Sequence, residues 1–143
     1  MQDCTRFLSL LEPPVSLEGK VVRGKRLGRE IGFPTANIAL PEFLEVSYGI
    51  YASRVSVGDE SYIAVTNVGT RPTVEGDAAA NAESYLVGFR GDLYGEIIRV
   101  VLYAKLREET RFCSVDELAD AISGDVRDAV RYFENSDIED SDK

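Results

Sequence analysis

Residues 49–67, GIYASRVSVGDESYIAVTN, decide the architecture. Apolar and β-branched residues fill two runs, Gly49–Val57 and Tyr62–Asn67, and such residues suit a pleated, half-buried surface. Between the runs, Gly58-Asp59 has the chemistry of a tight hairpin turn. Outward from this hairpin, further short runs predict strands at Leu17–Arg23, Ala36–Leu40, Glu83–Phe89 and Glu96–Leu106, with a turn at Arg90–Gly95. Six strands with short connections favour a mainly β fold, an antiparallel sheet that is closed or sandwiched.

The period changes in the C-terminal third. Ser114-Val-Asp-Glu117 is a capping box, followed at helical spacing by Leu118, Ala121 and Ile122. A second amphipathic stretch sets Val126, Ala129, Val130 and Phe133 at i, i+3, i+4 and i+7, so two helices are expected to cover part of the sheet. At the other end, Met1–Leu11 has the pattern of a short amphipathic helix that Pro13-Pro14 would terminate. The expected organisation is a leader or linker over 1–16, one domain over 17–133, and an acidic, aperiodic tail over 134–143 that is expected to be disordered.

Composition narrows the function. With 143 residues, 44% of them hydrophobic, the chain suffices for one domain with a real core. Twenty-five acidic against sixteen basic residues give a formal charge of −9, which argues against wholesale attraction to nucleic acid or to a membrane surface. Any anion must be held locally. No run approaches the roughly 18 apolar residues of a membrane span, and the N-terminal segment lacks the order of a signal peptide, so the expected address is the cytoplasm; a monomer is expected as well. Cys4 and Cys113 are expected as free thiols. The chain has no histidine, which excludes Ser-His and Cys-His nucleophiles and His-ligated zinc or haem. Acid–base chemistry then falls to carboxylates or other groups.

Five of the basic residues, Lys20, Arg23, Lys25, Arg26 and Arg29, fall within ten positions and are interleaved with Gly24 and Gly28. Glycines let a backbone turn and present N–H groups to a phosphate, and Lys and Arg add charge-assisted hydrogen bonds. The segment is either a local anion site or a solvated basic loop. Downstream lies Gly32-Phe-Pro-Thr-Ala-Asn37, where Thr35 and Asn37 stand two apart at the start of a strand and so point the same way. A hydroxyl and a carboxamide oxygen beside a phosphate loop can bind Mg²⁺; the alternative is a Pro-Thr turn whose Asn satisfies its own backbone.

Residues 19–38, GKVVRGKRLGREIGFPTANI, resemble the signature segment of the riboflavin kinase family, found at the C-terminal end of bacterial bifunctional flavin-biosynthesis enzymes. Tyr48–Ala52, Thr66–Thr73, Glu83–Phe89, Asp92–Gly95 and Leu106–Phe112 resemble later family blocks in the same order. The resemblance covers about residues 17–133. It implies a six-stranded antiparallel Greek-key β-barrel with C-terminal helices packed against it. It also implies phosphoryl transfer from ATP, with Mg²⁺, to the ribityl 5′-hydroxyl of riboflavin, giving FMN.

The resemblance assigns roles. Gly24, Lys25, Gly28 and Arg29 correspond to the ATP-phosphate loop, and Thr35 and Asn37 to positions that engage Mg²⁺ and phosphates. Glu83 corresponds to the catalytic glutamate, a carboxylate placed to accept the proton of a poorly nucleophilic alcohol. Judged by strand parity alone, Glu83 would be a solvent-exposed strand-end residue. Arg107, Glu109 and Phe112 keep a Leu-Arg-x-Glu-x-x-Phe pattern that implies flavin contact, since an aromatic ring and a guanidinium suit a planar ring system. Phe112 packing ahead of the Ser114 cap and a surface ion pair for Arg107 are the alternatives. Arg71-Pro-Thr73 and Asp92–Gly95 are expected to be loop architecture. Ser84-Tyr85 stands where the family often has Thr-His, and Gly88 where it often has Asp; neither removes a group that the chemistry requires. Without an adenylyltransferase domain the expected product is FMN and not FAD, and the rival expectation is a non-catalytic flavin- or nucleotide-binding regulatory module.

Overall fold

The computed structural model describes residues 9–22, 35–40, 46–72, 78–110 and 113–140. Among the described residues, strands β1 (Ser9–Lys20), β2 (Ala36–Ala39), β3 (Gly49–Val57), β4 (Glu60–Pro72), β5 (Ala78–Leu86) and β6 (Ile97–Arg107) precede one helix, α1 (Val115–Asp140). The β3–β4 hairpin closes at the pair Val57↔Glu60, which leaves Gly58-Asp59 as a two-residue turn. Gly58 has φ 58° and no described non-glycine residue has positive φ, so the turn is the glycine-first type II′ form whose twist matches its strands. No helix among the described residues is long and apolar enough to cross a membrane.

Every ladder is antiparallel, and the sheet order is β1-β6-β3-β4-β5-β2. β6 returns to lie beside β3, outside the β3-β4-β5 meander, which is a Greek-key connection. The expected closed barrel is not formed. The ladder of β1 with β6 runs to Lys20, and Val21 extends it through bonds with Gly95 and Glu96. Among the described residues only Val22 then pairs with the other edge, through an isolated bridge to Asn37 in which the Val22 N–H donates to the Asn37 carbonyl at 2.8 Å. The strand is spent on β6 before a ladder to the four-residue β2 can begin.

β1 starts at Ser9, eight residues ahead of the expected Leu17 and inside the stretch expected to be a leader. Ser9 and Leu10 pair with Lys105 and Ala104, so residues 9–11 belong to the sheet and not to a helix. Pro13-Pro14 interrupts the strand without ending it, because the register shifts between Leu10 and Val15. Proline lacks the N–H a ladder needs and is tolerated at such a bulge on an edge strand.

Two apolar clusters form on opposite faces of the sheet. Leu17, Ile38, Tyr51, Val55, Val68, Ala82, Ile98, Val100 and Leu102 belong to the larger one. On the other face Ile50, Ala52, Val65, Ala104 and Leu106 pack beneath Ala129 and Phe133 of α1. Central β3 is therefore buried on both faces along Gly49–Ser53. β6 serves both clusters by means of two bulges. Ala52↔Ala104 is followed by Ser53↔Leu102, leaving Tyr103 extra, and Ile50↔Arg107 by Tyr51↔Lys105, leaving Leu106 extra. Each extra residue resets the alternation and sharpens the local twist.

One continuous helix replaces the expected two. Ser114 caps it, its Oγ accepting from the Glu117 N–H at 3.1 Å, while Glu117 Oε1 accepts from the Cys113 N–H at 3.0 Å. Gly124 does not break it: a mid-helix glycine costs only about 1 kcal/mol, and Asp125 beside it is anchored to the sheet. The helix continues to Asp140, into the stretch expected to be disordered, because an established helix gains one more bond for each residue it adds. Phe133 seats it, edge-on to Tyr103 at 5.1 Å between ring centroids and beneath the Arg54 guanidinium at 4.9 Å.

The larger core also holds a polar row. Thr66 Oγ1 lies 2.7 Å from Ser53 Oγ and 2.8 Å from Ser84 Oγ, and Ser53 donates to the Ala64 carbonyl at 3.0 Å. All three hydroxyls belong to fully buried residues, so each needs its partner. Thr66→Val, nearly isosteric, should strip Ser84 of this partner and cost about 1–3 kcal/mol. Urea unfolding followed by circular dichroism measures this; an unchanged midpoint would show that the row contributes nothing.

Candidate functional site

The site is built by register. Glu83 on β5 stands opposite Asn37 on β2 and opposite Asn67 on β4. Asn67 in turn stands opposite Ile50, and Ile50 opposite Arg107. Residues directly opposite share a face, so Asn37, Glu83, Asn67, Ile50 and Arg107 form one row across five strands. Ile50 belongs to the cluster under α1, which places the row on the helix-bearing face. The helix covers its middle. The polar end, on β2, β5 and β4, lies beside it.

Thr35, just before β2, has the parity of Asn37, and its Oγ1 donates to Glu83 Oε2 at 2.6 Å. Asn37 is 4% exposed, and its Oδ1 accepts from Asn81 Nδ2 at 3.0 Å. A threonine hydroxyl, two carboxamides and a carboxylate thus converge from β2 and β5. Among the described residues no three His, Cys, Asp or Glu side chains gather to hold a metal. The donors at Thr35 and Asn37 are instead neutral hard oxygens beside the Glu83 carboxylate. That set fits a cation such as Mg²⁺, which binds through few protein oxygens and takes the rest of its shell from water and phosphate.

Arg107 and Glu109 are placed differently from each other. The Arg107 guanidinium forms a fork with Asp125 of α1, Nε to Oδ1 and Nη2 to Oδ2, both at 2.8 Å. Its Nη1 donates to the Glu108 carbonyl at 3.1 Å and to Thr110 Oγ1 at 3.4 Å. Arg107 therefore ties the end of β6, the following loop and the helix together. Glu109, on that loop, lays its carboxylate against Gly69 of β4, where any Cβ would overlap it. Gly69 stands opposite Asn81, so Glu109 arrives beside the Asn37–Glu83–Asn67 row. Lys105 steadies the base of the loop through Glu108 Oε1 at 3.0 Å and Ser47 Oγ at 3.1 Å.

The expected phosphate-loop residues Gly24, Lys25, Gly28 and Arg29 lie outside the described residues, as does Phe112. Thr35, Asn37 and Glu83 come together. Asn67, Gly69 and Asn81, which the sequence pattern did not single out, join them. Alternation places Asn67 on the face of Val65, but a partner two strands away is not visible in a single strand. Asp92–Gly95 is loop architecture: Asp92 Oδ1 accepts from the Tyr94 N–H at 2.9 Å, and Leu93 is buried.

The family model described as "Flavokinase: Riboflavin kinase" matches residues 11–133. The chain belongs to the riboflavin kinase family. A bifunctional riboflavin kinase/FMN adenylyltransferase of Pseudomonas fluorescens is 43% identical over 117 residues, 82% of this chain and 38% of that protein. The RNA-binding riboflavin kinase RibR of Bacillus subtilis is 36% identical over 118 residues, 82% of this chain and 51% of its own length. The crystal structure of riboflavin kinase from Trypanosoma brucei superposes with a TM-score of 0.60 at 28% identity, covering 85% of this chain and 80% of that one. The chain spans about two fifths of the bifunctional relatives it matches.

Within this member of the riboflavin kinase family the Arg107–Asp125 fork is partly buried, its side chains 29% and 6% exposed. Asp125→Ala should destabilise the protein by about 3 kcal/mol, because it leaves a half-buried guanidinium without its carboxylate. Arg107→Lys should recover little, since an ammonium cannot present two parallel N–H groups. Chemical denaturation checks both; a loss below about 1 kcal/mol for Asp125→Ala would remove the fork from the account of how α1 docks.

Proposed function

We propose that this chain transfers the γ-phosphoryl group of ATP to the ribityl 5′-hydroxyl of riboflavin, giving FMN and ADP. The observation that carries the reading is the placement of Glu83, a single carboxylate oriented by Thr35 and flanked in its row by Asn37 and Asn67. A primary alcohol is a weak nucleophile, and a positioned carboxylate can accept its proton as the oxygen attacks phosphorus. The rest of phosphoryl transfer is alignment and charge stabilisation, which asks for a rigid platform. The antiparallel ladder of β2, β5 and β4 supplies it.

Glu83 is the general base in this reading, and the Thr35 hydroxyl holds its carboxylate in orientation. Thr35 and Asn37 would hold Mg²⁺ through Oγ1 and Oδ1, and the ion when bound neutralises charge on the triphosphate. Gly24, Lys25, Gly28 and Arg29 would hold the ATP phosphates through backbone N–H groups and cationic side chains. Glu109 and Phe112 would meet the flavin. Arg107 acts on the flavin through the loop that carries those residues, because its guanidinium is engaged with Asp125 and the loop itself. The ligands proposed for the chain are riboflavin and ATP, and a cytoplasmic location is proposed with them.

Purified protein incubated with riboflavin, ATP and Mg²⁺ should yield FMN resolved by chromatography. Flavin binding without any FMN above a no-enzyme control would instead favour a regulatory module. Glu83→Gln should lower turnover by on the order of 10²–10⁴ while riboflavin affinity stays within a few-fold. Near wild-type turnover in this variant would take Glu83 out of the mechanism.

A further inference from the structure

Two buried oxygens beside Glu83 have no hydrogen-bond partner among the described residues: Asn67 Oδ1 and Asn81 Oδ1. Both sit on the face that carries Glu83, Asn67 directly opposite it on β4 and Asn81 two residues before it on β5. Buried acceptors are almost always satisfied in folded proteins, so a pair of orphans at one place asks what satisfies them. The Nδ2 of Asn81 donates to Asn37 Oδ1 at 3.0 Å, and with that bond in place its Oδ1 is the orphan. Glu109 adds a carboxylate against Gly69, the residue paired with Asn81.

The patch beside the catalytic carboxylate is therefore rich in acceptors: two amide carbonyls and a carboxylate. Its complement is a chain of donors. Successive same-face positions along a strand are about 6.8 Å apart, so Glu83 and Asn81 span a distance that a short polyol can bridge. We propose that Asn67 and Asn81 are specificity-determining residues for the acceptor alcohol. Their Oδ1 atoms accept hydrogen bonds from secondary hydroxyls of the ribityl chain and align its terminal hydroxyl on Glu83. This rests on the riboflavin kinase reading above and adds to it the residues that read the sugar alcohol. A site built to bond hydroxyls discriminates strongly against a ligand without them, because its acceptors then remain buried and empty.

The test is flavin binding without ATP, followed by flavin fluorescence. Riboflavin should bind the wild-type protein at least about 10-fold more tightly than lumiflavin, which carries a methyl group in place of the ribityl chain. Asn67→Leu, of similar size, should weaken riboflavin by on the order of 10-fold and leave lumiflavin and ADP unchanged. A merely structural asparagine would lower thermal stability on substitution. Removing an orphan acceptor should instead leave the melting temperature unchanged or raise it. Equal affinity of the wild-type protein for the two flavins overturns the proposal even if Asn67→Leu does not fold. So does a variant that loses ADP affinity, or one that keeps full riboflavin affinity. Should the wild-type protein bind riboflavin and make FMN with Asn67→Leu unaffected, this inference fails alone; should it bind no flavin, the kinase reading fails first.

Discussion

The register of β2, β5 and β4 is the constraint on which the site depends. Asn37, Glu83 and Asn67 face one another only because two antiparallel ladders align them, and a slip of one residue in either would turn a whole strand's side chains to the opposite face. The same alignment puts Ala82, Val68 and Ile38 into the large core, so apolar burial holds the register that the polar row needs. The hydroxyl row of Ser53, Thr66 and Ser84 lies on the core side of β3, β4 and β5. It adds a polar pattern that an alternative register would leave unmatched.

The helix enters the site indirectly. Phe133 and Ala129 seat α1 on the face that carries the row, and the Asp125–Arg107 fork joins it to the end of β6. From that junction the loop carries Glu109 onto Gly69. One chain of contacts thus runs from an apolar helix face to a carboxylate beside Glu83. Arg107 has the residue type that flavin contact would use, and its guanidinium also braces the loop against the helix.

Much of the fold was legible from local patterns. The Gly58-Asp59 hairpin, the Ser114 cap and the strand runs follow from turn chemistry and alternation, which act over a few residues. The failures have non-local causes. Two amphipathic stretches looked like two helices, but the anchor that carries one helix through Gly124 lies on β6. Pro13-Pro14 looked like a helix terminator, but the pairing of Ser9 with Lys105 across the chain makes the segment a strand. The bulges at Tyr103 and Leu106 follow from β6 serving two faces at once, which its own composition does not show. In the site, Thr35 and Asn37 were singled out by their spacing beside a candidate phosphate loop, and Glu83 through resemblance to a family. Asn67 and Asn81 were not, since an orphaned oxygen exists only once the strands are assembled.

Pro13-Pro14 has a further effect, on what happens outside the molecule. β1 is an edge, and an edge presents unpaired N–H and C=O groups to any passing strand. Two adjacent residues without an N–H, together with the register shift they sit in, break that row in its middle. A newly synthesised chain meeting a second copy thus finds no long template to extend. The feature that misleads a reading of the N-terminal segment also guards an open sheet against aggregation.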